Sequence, residues 1–186
     1  MTKKDLSCTL FVMPNIFSSI FSDKKFAVLW LFVRLYVGWQ WLNAGFEKIQ
    51  SPVWVGEKAG IAVGGFLTNA LTKTSGAHPD VQFWYAEFIK NFVLPNKVLF
   101  SYLVAYGELL VGIALILGIV TGIAAFFGAF MNMNYLLAGT VSTNPVLLML
   151  EILIILAWKT AGWIGLDRFV LQHLKISPKS GKVSKK

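Results

Sequence analysis

Residues 98–140 read VLFSYLVAYGELLVGIALILGIVTGIAAFFGAFMNMNYLLAGT, and this stretch decides the fold. Its only charged side chain is that of Glu108. An α-helix needs about 20 residues to cross the hydrocarbon core of a bilayer. The stretch is therefore long enough for two spans, at about 98–120 and 122–140. They are joined only by Thr121 and its neighbours, which predicts a tight antiparallel hairpin of transmembrane helices.

Two further apolar runs flank this hairpin, at about 26–45 and 145–164. Asn144 and Pro145 stand where the last run begins, and both residue types suit the start of a helix. The sequence thus predicts an all-α fold, an integral membrane four-helix bundle. An additional amphipathic helical segment, 46–97, separates spans one and two.

The composition also favours a membrane protein. Of 186 residues, 56% are hydrophobic and 14% are charged, with a mean hydropathy of +0.64. A soluble domain of this size needs more polar cover for its surface. The net charge of +8 comes largely from the two ends, so anionic lipid headgroups are the expected counter-charge and no nucleic-acid partner is expected.

Lysine and arginine placement predicts the topology. These residues cluster in both terminal segments, so the positive-inside rule puts both termini in the cytoplasm of a multi-pass cell-membrane protein. The predicted organisation is a cytoplasmic N-terminus at 1–25 that contains an interfacial helix at 14–22, a four-span bundle at 26–164, and a cytoplasmic amphipathic stretch with a basic tail at 165–186. Residues 46–97 are then external. Their apolar stretches predict helices that either lie on the outer membrane face or cap the bundle.

Polar residues inside the predicted spans mark a candidate site, because such groups usually face a bundle interior. With a rise of about 1.5 Å per residue, Arg34 and Glu108 could share a layer near the midplane. Asn132 and Asn134 lie at the middle of span three. An Arg34–Glu108 ion pair is the simplest way to keep both charges there. It would either fix the helix register or form the floor of a polar site.

A second polar layer is predicted nearer the outside. It comprises Gln40, Trp41, Tyr135 and Glu151, with Lys48 at the mouth. A tryptophan near a span end is also typical of the interfacial aromatic belt, so the role of Trp41 stays open between the two interpretations.

The histidine and cysteine content of the sequence disfavours metal chemistry. The two histidines, His78 and His173, fall on opposite sides of the predicted membrane, and no Cys/His cluster exists in the sequence. We therefore expect no haem or metal. A membrane-soluble redox carrier such as a quinone suits the polar residues better.

Four segments carry a resemblance to a known family. They are 34–48 (RLYVGWQWLNAGFEK), 106–118 (YGELLVGIALILG), 131–139 (MNMNYLLAG) and 165–168 (GLDR). In order and spacing they resemble the DoxX/DoxD membrane family over about 26–172. Members of that family are four-span bundles. Some resemble the DoxD large subunit of thiosulfate:quinone oxidoreductase, which oxidises thiosulfate to tetrathionate and passes the electrons to quinone.

The resemblance implies a membrane oxidoreductase subunit, linked to quinone and with thiosulfate as a candidate electron donor. Matching family positions are Arg34, Lys48 and Glu108. From the physical argument, Glu108, Glu151 and Arg34 would be catalytic, and Lys48 would attract the anionic substrate. The quinone would be held by Trp41, Asn132, Asn134, Tyr135 and Gln40.

A second hypothesis remains open at this point. The chain could be a non-enzymatic membrane module that binds a lipid or small molecule, or that scaffolds a redox partner. Under either hypothesis, the expected partners are the lipid bilayer and a second redox subunit or a homo-oligomer. A small carrier is a third possibility, disfavoured because transporters commonly contain broken helices and none is predicted here.

Overall fold

The structure, a computed structural model, describes residues 18–174, and these are organised as helices and turns. The α-helices are α1 (Ala27–Gln50), α2 (Ile61–Leu71), α3 (Phe83–Phe88), α4 (Lys97–Leu117), α5 (Thr121–Leu137), α6 (Asn144–Leu156), α7 (Trp158–Ala161) and α8 (Asp167–His173). Shorter turns are the 3-10 helices Lys24–Phe26 and Thr72–Thr74 and the π-helix Ile89–Val93. The all-α prediction is confirmed.

Four long helices, α1, α4, α5 and α6, pack as a bundle. Helix α1 lies against α4, α5 lies against both α4 and α6, and α1 also contacts α6. Among residues 18–174, α4 is the one helix that is both long and apolar enough to cross a membrane, and α6 is a shorter apolar helix. The helical bundle is therefore observed, whereas its four membrane crossings remain a proposal.

Helix boundaries differ from the predicted spans in two informative ways. Helix α1 continues to Gln50 and carries Lys48 within its last turn. The predicted fourth span is two helices, because Ala157, with φ −95° and ψ 14°, separates α6 from α7. The prediction of an unbroken fourth helix is wrong, so a carrier is no longer disfavoured for lack of a broken helix.

Glycines allow α1 and α4 to cross closely. A Cβ on Gly45 would collide with the backbone of Leu109, and a Cβ on Gly112 would collide with that of Leu42. Such contacts between small residues bring helix backbones together within membranes. The crossing places the second half of α1 directly beside Glu108.

Residues 46–97 cap the bundle at the end where α1 and α5 finish and α4 and α6 begin. Helices α2 and α3 confirm that this segment is helical. Apolar side chains of the segment form a second core with the adjoining ends of α4 and α5. It comprises the buried residues Val63, Leu67, Val81, Tyr85 and Ile89 and the partly buried Phe100 and Leu137. Of the two predicted placements, the segment thus has the packing of a cap. Residues 18–22 are helical, as predicted for the N-terminal interfacial helix. The rest of that helix (14–17) and the basic tail from 175 lie outside the described residues.

Candidate functional site

Glu108 is the centre of the first polar cluster, in the middle of α4. It is 1% exposed. Its Oε2 accepts a hydrogen bond from Lys48 Nζ at 2.6 Å, and its Oε1 accepts one from the Tyr135 hydroxyl at 2.6 Å. Three helices therefore meet on one carboxylate, and the lysine neutralises it. We call Glu108, Lys48 and Tyr135 the Glu108 cluster.

Glu151 is the centre of a second cluster, on α6, and is fully buried. Its Oε1 accepts from Trp41 Nε1 at 2.5 Å and its Oε2 accepts from Asn132 Nδ2 at 2.7 Å. Gly128 leaves the room that this carboxylate occupies, since a Cβ there would overlap Glu151 Oε1. We call Glu151, Trp41 and Asn132 the Glu151 cluster. Unlike Glu108, it holds its carboxylate with neutral donors.

Two aromatic rings connect the clusters. The rings of Trp41 and Tyr135 are 6.5 Å apart between centroids and tilted by 33°. Phe66 of the cap contacts Tyr135 edge-on at 6.1 Å. The predicted layer of Trp41, Tyr135 and Glu151 is therefore observed as a contact network, with Glu108 joined to it through Tyr135.

The predicted Arg34–Glu108 ion pair is wrong. Arg34 Nη2 donates to the Ile164 carbonyl at 2.8 Å, and the guanidinium lies against Gly118, at the C-terminus of α4. Gly118 is ten residues beyond Glu108, or about 15 Å along the helix. The unpaired carbonyls at a helix C-terminus favour a cation, which explains where Arg34 lies.

Asp167 completes the arrangement at this end of the bundle. Its carboxylate accepts from the N–H groups of Val120 at 2.6 Å and Thr121 at 2.8 Å, and so caps the start of α5. It is also the acidic group whose charge acts on Arg34. At the turn of the α4–α5 hairpin, Arg34 thus stabilises the C-terminus of α4 and Asp167 stabilises the N-terminus of α5. Arg34 lies outside the candidate site.

Gln40 and Asn134 also lie outside the two clusters. Gln40 Nε2 donates to the Tyr36 hydroxyl at 3.3 Å in an exposed position. Asn134 donates to the Phe130 carbonyl at 2.7 Å and accepts from the Tyr85 hydroxyl of the cap at 3.1 Å. Successive helical residues are rotated by about 100°. Residues one or two positions from Trp41 and Asn132 therefore face elsewhere.

Sequence reasoning missed several residues that surround the Glu108 cluster. Lys48 Nζ lies 5.1 Å from the ring centroid of Trp54, within cation–π range. The buried Ser101 hydroxyl donates to the Trp54 carbonyl at 2.6 Å and so fixes this part of the cap. No periodic signal links Trp54 to Lys48. Gly128, which lies beside Glu151 in the other cluster, could have been assigned to the site from helical spacing, because it precedes Asn132 by one helical turn on the same face.

The cap carries two perturbed titratable groups. Burial raises the pKa of Tyr85 from 10.0 to about 12. A hydrogen bond from Lys90 lowers the pKa of the exposed Glu87 carboxyl. Tyr85 also donates to the Asn134 carbonyl at 3.1 Å, so its neutral form ties the cap to α5. Among residues 18–174, no group of three His, Cys, Asp or Glu side chains is placed to hold a metal ion.

Comparison with known families places the chain in relation to one of them. A family model described as "TQO small subunit DoxD" matches residues 29–184, a range that includes every member of both clusters. No curated protein and no solved structure matches the chain.

Proposed function

This chain belongs to the DoxD family, and from that membership we propose that it is a quinone-linked redox subunit whose Glu108 cluster handles protons. The membership supports a membrane subunit related to thiosulfate:quinone oxidoreductase. The family description names a small subunit, so the predicted family is confirmed but the large-subunit assignment is not.

The observation that carries this proposal is the lysine, carboxylate and phenol joined at 2.6 Å inside the bundle. Two thiosulfate ions, one quinone and two protons would give one tetrathionate and one quinol. Lys48 and Tyr135 can donate hydrogen bonds to quinone oxygens as negative charge develops there. Glu108 can relay the required protons, as general acid–base groups do.

The side chains of the Glu108 cluster have the chemistry needed to bind a quinone head group. They offer N–H and O–H donors beside the aromatic rings of Tyr135 and Trp54. Access would come from the side of Lys48, whose side chain is 21% exposed. The Trp41 and Tyr135 rings are already in contact, so a head group between these two predicted walls would require them to separate. The partly exposed ammonium of Lys48 would also attract an anionic donor such as thiosulfate.

The outer surface of the bundle supports four membrane crossings. Each long helix directs large apolar side chains outward, for example Phe32 (67% exposed), Leu110 (63%), Phe130 (59%) and Leu156 (60%). Apolar surface of this extent is unusual on soluble monomers and is expected where lipid is the solvent. We therefore propose that α1, α4, α5 and α6–α7 each cross the bilayer, with both termini cytoplasmic.

An aromatic strip on the cap fits the outer membrane interface. Trp84, Phe88 and Phe92 recur every four residues and are 59%, 39% and 54% exposed. The polar residues Glu87 and Lys90 lie beside the strip and form an exposed ion pair. A helix with one aromatic and one polar flank is suited to lie in the headgroup region.

Cysteine accessibility tests this topology. In a Cys8→Ser background, Ser75→Cys of the cap and Ser142→Cys of the α5–α6 turn should react with a membrane-impermeant maleimide in intact cells. Gln172→Cys on α8 should react only after permeabilisation. Labelling of all three positions without permeabilisation would rule out the proposed orientation.

Turnover tests the redox proposal. The purified full chain in lipid nanodiscs, given thiosulfate and a short-chain quinone analogue, should form quinol and tetrathionate. Glu108→Gln and Tyr135→Phe should each lower kcat by roughly 100-fold, the lower range for general acid–base groups. Lys48→Gln should also raise KM for thiosulfate.

Exposed residues of the cap supply matched controls. Glu87→Gln and Lys90→Gln break an ion pair with the same residue types, 3.0 Å apart but exposed to solvent. They should leave turnover unchanged. The proposal would be defeated if the wild-type protein, tested together with any subunit that co-purifies with it, neither bound nor reduced the quinone analogue.

A second candidate function rests on the closed contact between Trp41 and Tyr135 and on the "small subunit" description. The chain would then scaffold a larger redox subunit and carry no turnover alone. Affinity purification from native membranes discriminates the two. A stoichiometric partner whose activity is independent of Glu108→Gln would favour the scaffold.

A further inference from the structure

The two buried glutamates of the bundle, Glu108 and Glu151, have different partners. Glu108 has a lysine nitrogen at 2.6 Å. Glu151 has the indole N–H of Trp41 and the amide of Asn132, and among residues 18–174 no cation forms an ion pair with it. A buried carboxylate without a cation retains its desolvation penalty, which protonation removes.

Among residues 18–174, the side chains that donate hydrogen bonds to the Glu151 carboxylate are neutral. Helix α1 contributes Trp41, and α5 contributes Asn132 and Gly128. The Trp41 ring contacts the ring of Tyr135, and Tyr135 donates a hydrogen bond to Glu108. The charge of Glu108 is neutralised by Lys48. Within the described part of the chain, no cation is paired with Glu151 to compensate its ionised form.

Asn132 can bond Glu151 in either protonation state. Its Nδ2 donates to Glu151 Oε2, while its fully buried Oδ1 has no partner among the described residues. The oxygen and nitrogen ends of a side-chain amide are nearly isosteric, and a half rotation of the amide group exchanges their positions. After that rotation, Oδ1 of Asn132 would accept a hydrogen bond from a protonated Glu151 carboxyl group. The unused acceptor is thus suited to a neutral acid.

We propose that Glu151 is a protonated, neutral acid in the resting protein and stores one proton inside the bundle, while Glu108 is the anionic partner of Lys48. Ionisation of Glu151 releases this proton and leaves a carboxylate held by Trp41 and Asn132. Use of the stored proton in quinone reduction rests on the proposed function. The protonation state itself does not, so the two can fail separately.

Infrared spectroscopy of the full chain in lipid nanodiscs tests the protonation state without quinone or thiosulfate. At neutral pH an ordinary glutamate, with a pKa of about 4.3, is ionised and gives no carboxylic acid C=O band. We expect such a band, shifted to lower frequency in D2O, in the wild-type protein. It should be lost in Glu151→Gln and retained in Glu108→Gln.

Trp41→Phe keeps the test decisive if Glu151→Gln does not fold. This variant removes one hydrogen bond to the carboxyl group and should move the band to higher frequency without abolishing it. The absence of a D2O-sensitive band at neutral pH would overturn the proposal, as would a band unchanged in the folded variants of Glu151 and Trp41. A Glu151 band in a protein without quinone turnover would overturn only the proposed function.

Discussion

Replacing Lys48 with methionine should destabilise the protein by removing the cation from Glu108. Methionine keeps an unbranched apolar stem, so the change mainly leaves a buried carboxylate unpaired. Breaking a buried pair from one side costs roughly 3–5 kcal/mol. Lys48 is 21% exposed and the Tyr135 hydrogen bond to Glu108 remains, which favours the lower end, about 3 kcal/mol.

A double-mutant cycle isolates this interaction. Lys48→Met, Glu108→Gln and their combination are compared by reversible SDS unfolding in mixed micelles, followed by circular dichroism. The combined variant should recover much of the lost free energy of unfolding, because it contains no unpaired charge. Lower pH should also partly rescue Lys48→Met, since protonation neutralises the orphaned Glu108.

The exposed Lys90–Glu87 pair is the control for this cycle. Its side chains are 51% and 40% exposed, so Lys90→Met should leave the unfolding free energy unchanged within error. Equal effects of Lys48→Met and Lys90→Met, or the absence of coupling between Lys48 and Glu108, would refute the claim that the buried carboxylate depends on its cation.

Two further predictions concern Gly128 and Tyr85. Gly128→Ala should cost about 1–3 kcal/mol by overpacking and change tryptophan emission, because the new Cβ would displace the Glu151 carboxylate. Gly65→Ala, where a Cβ meets open space on α2, should be neutral or stabilise by up to about 1 kcal/mol, and matching effects at both sites would contradict this. Because burial raises the Tyr85 pKa from 10.0 to about 12, its stabilising effect is complete below pH 10.0 and is lost as the pH rises through about 12. Tyrosinate absorbance should show this late step in the wild-type protein and not in Tyr85→Phe.

Much of the fold could be predicted because local sequence properties determine it. Apolar runs predicted the bundle helices, and the short link at Thr121 predicted the hairpin. The helical character of 46–97 followed from its apolar faces. The interruption at Ala157 was not predicted, because Leu156, Ala157 and Trp158 continue the apolar run and neither Pro nor Gly marks a break there; Lys159 and Thr160, which follow, are the only polar residues beside it.

The candidate site was predicted only in part. Depth along the predicted spans placed Trp41, Tyr135 and Glu151 in one layer, and the structure joins them through contacts of Trp41 with the other two. Depth estimates failed for Arg34, because depth along a predicted span does not specify which neighbouring helix end a long side chain reaches.

The sequence by itself determined that this chain forms apolar helices with a few polar residues that must be satisfied in their interior. Hydrophobic length and residue type are local properties, so they can be deduced without knowing any contact. Only the tertiary structure decided that Lys48 neutralises Glu108 while Glu151 receives neutral donors. That difference depends on helix rotation and on the close α1–α4 crossing at Gly45 and Gly112, where backbone proximity brings one cation to one carboxylate and leaves the other without any.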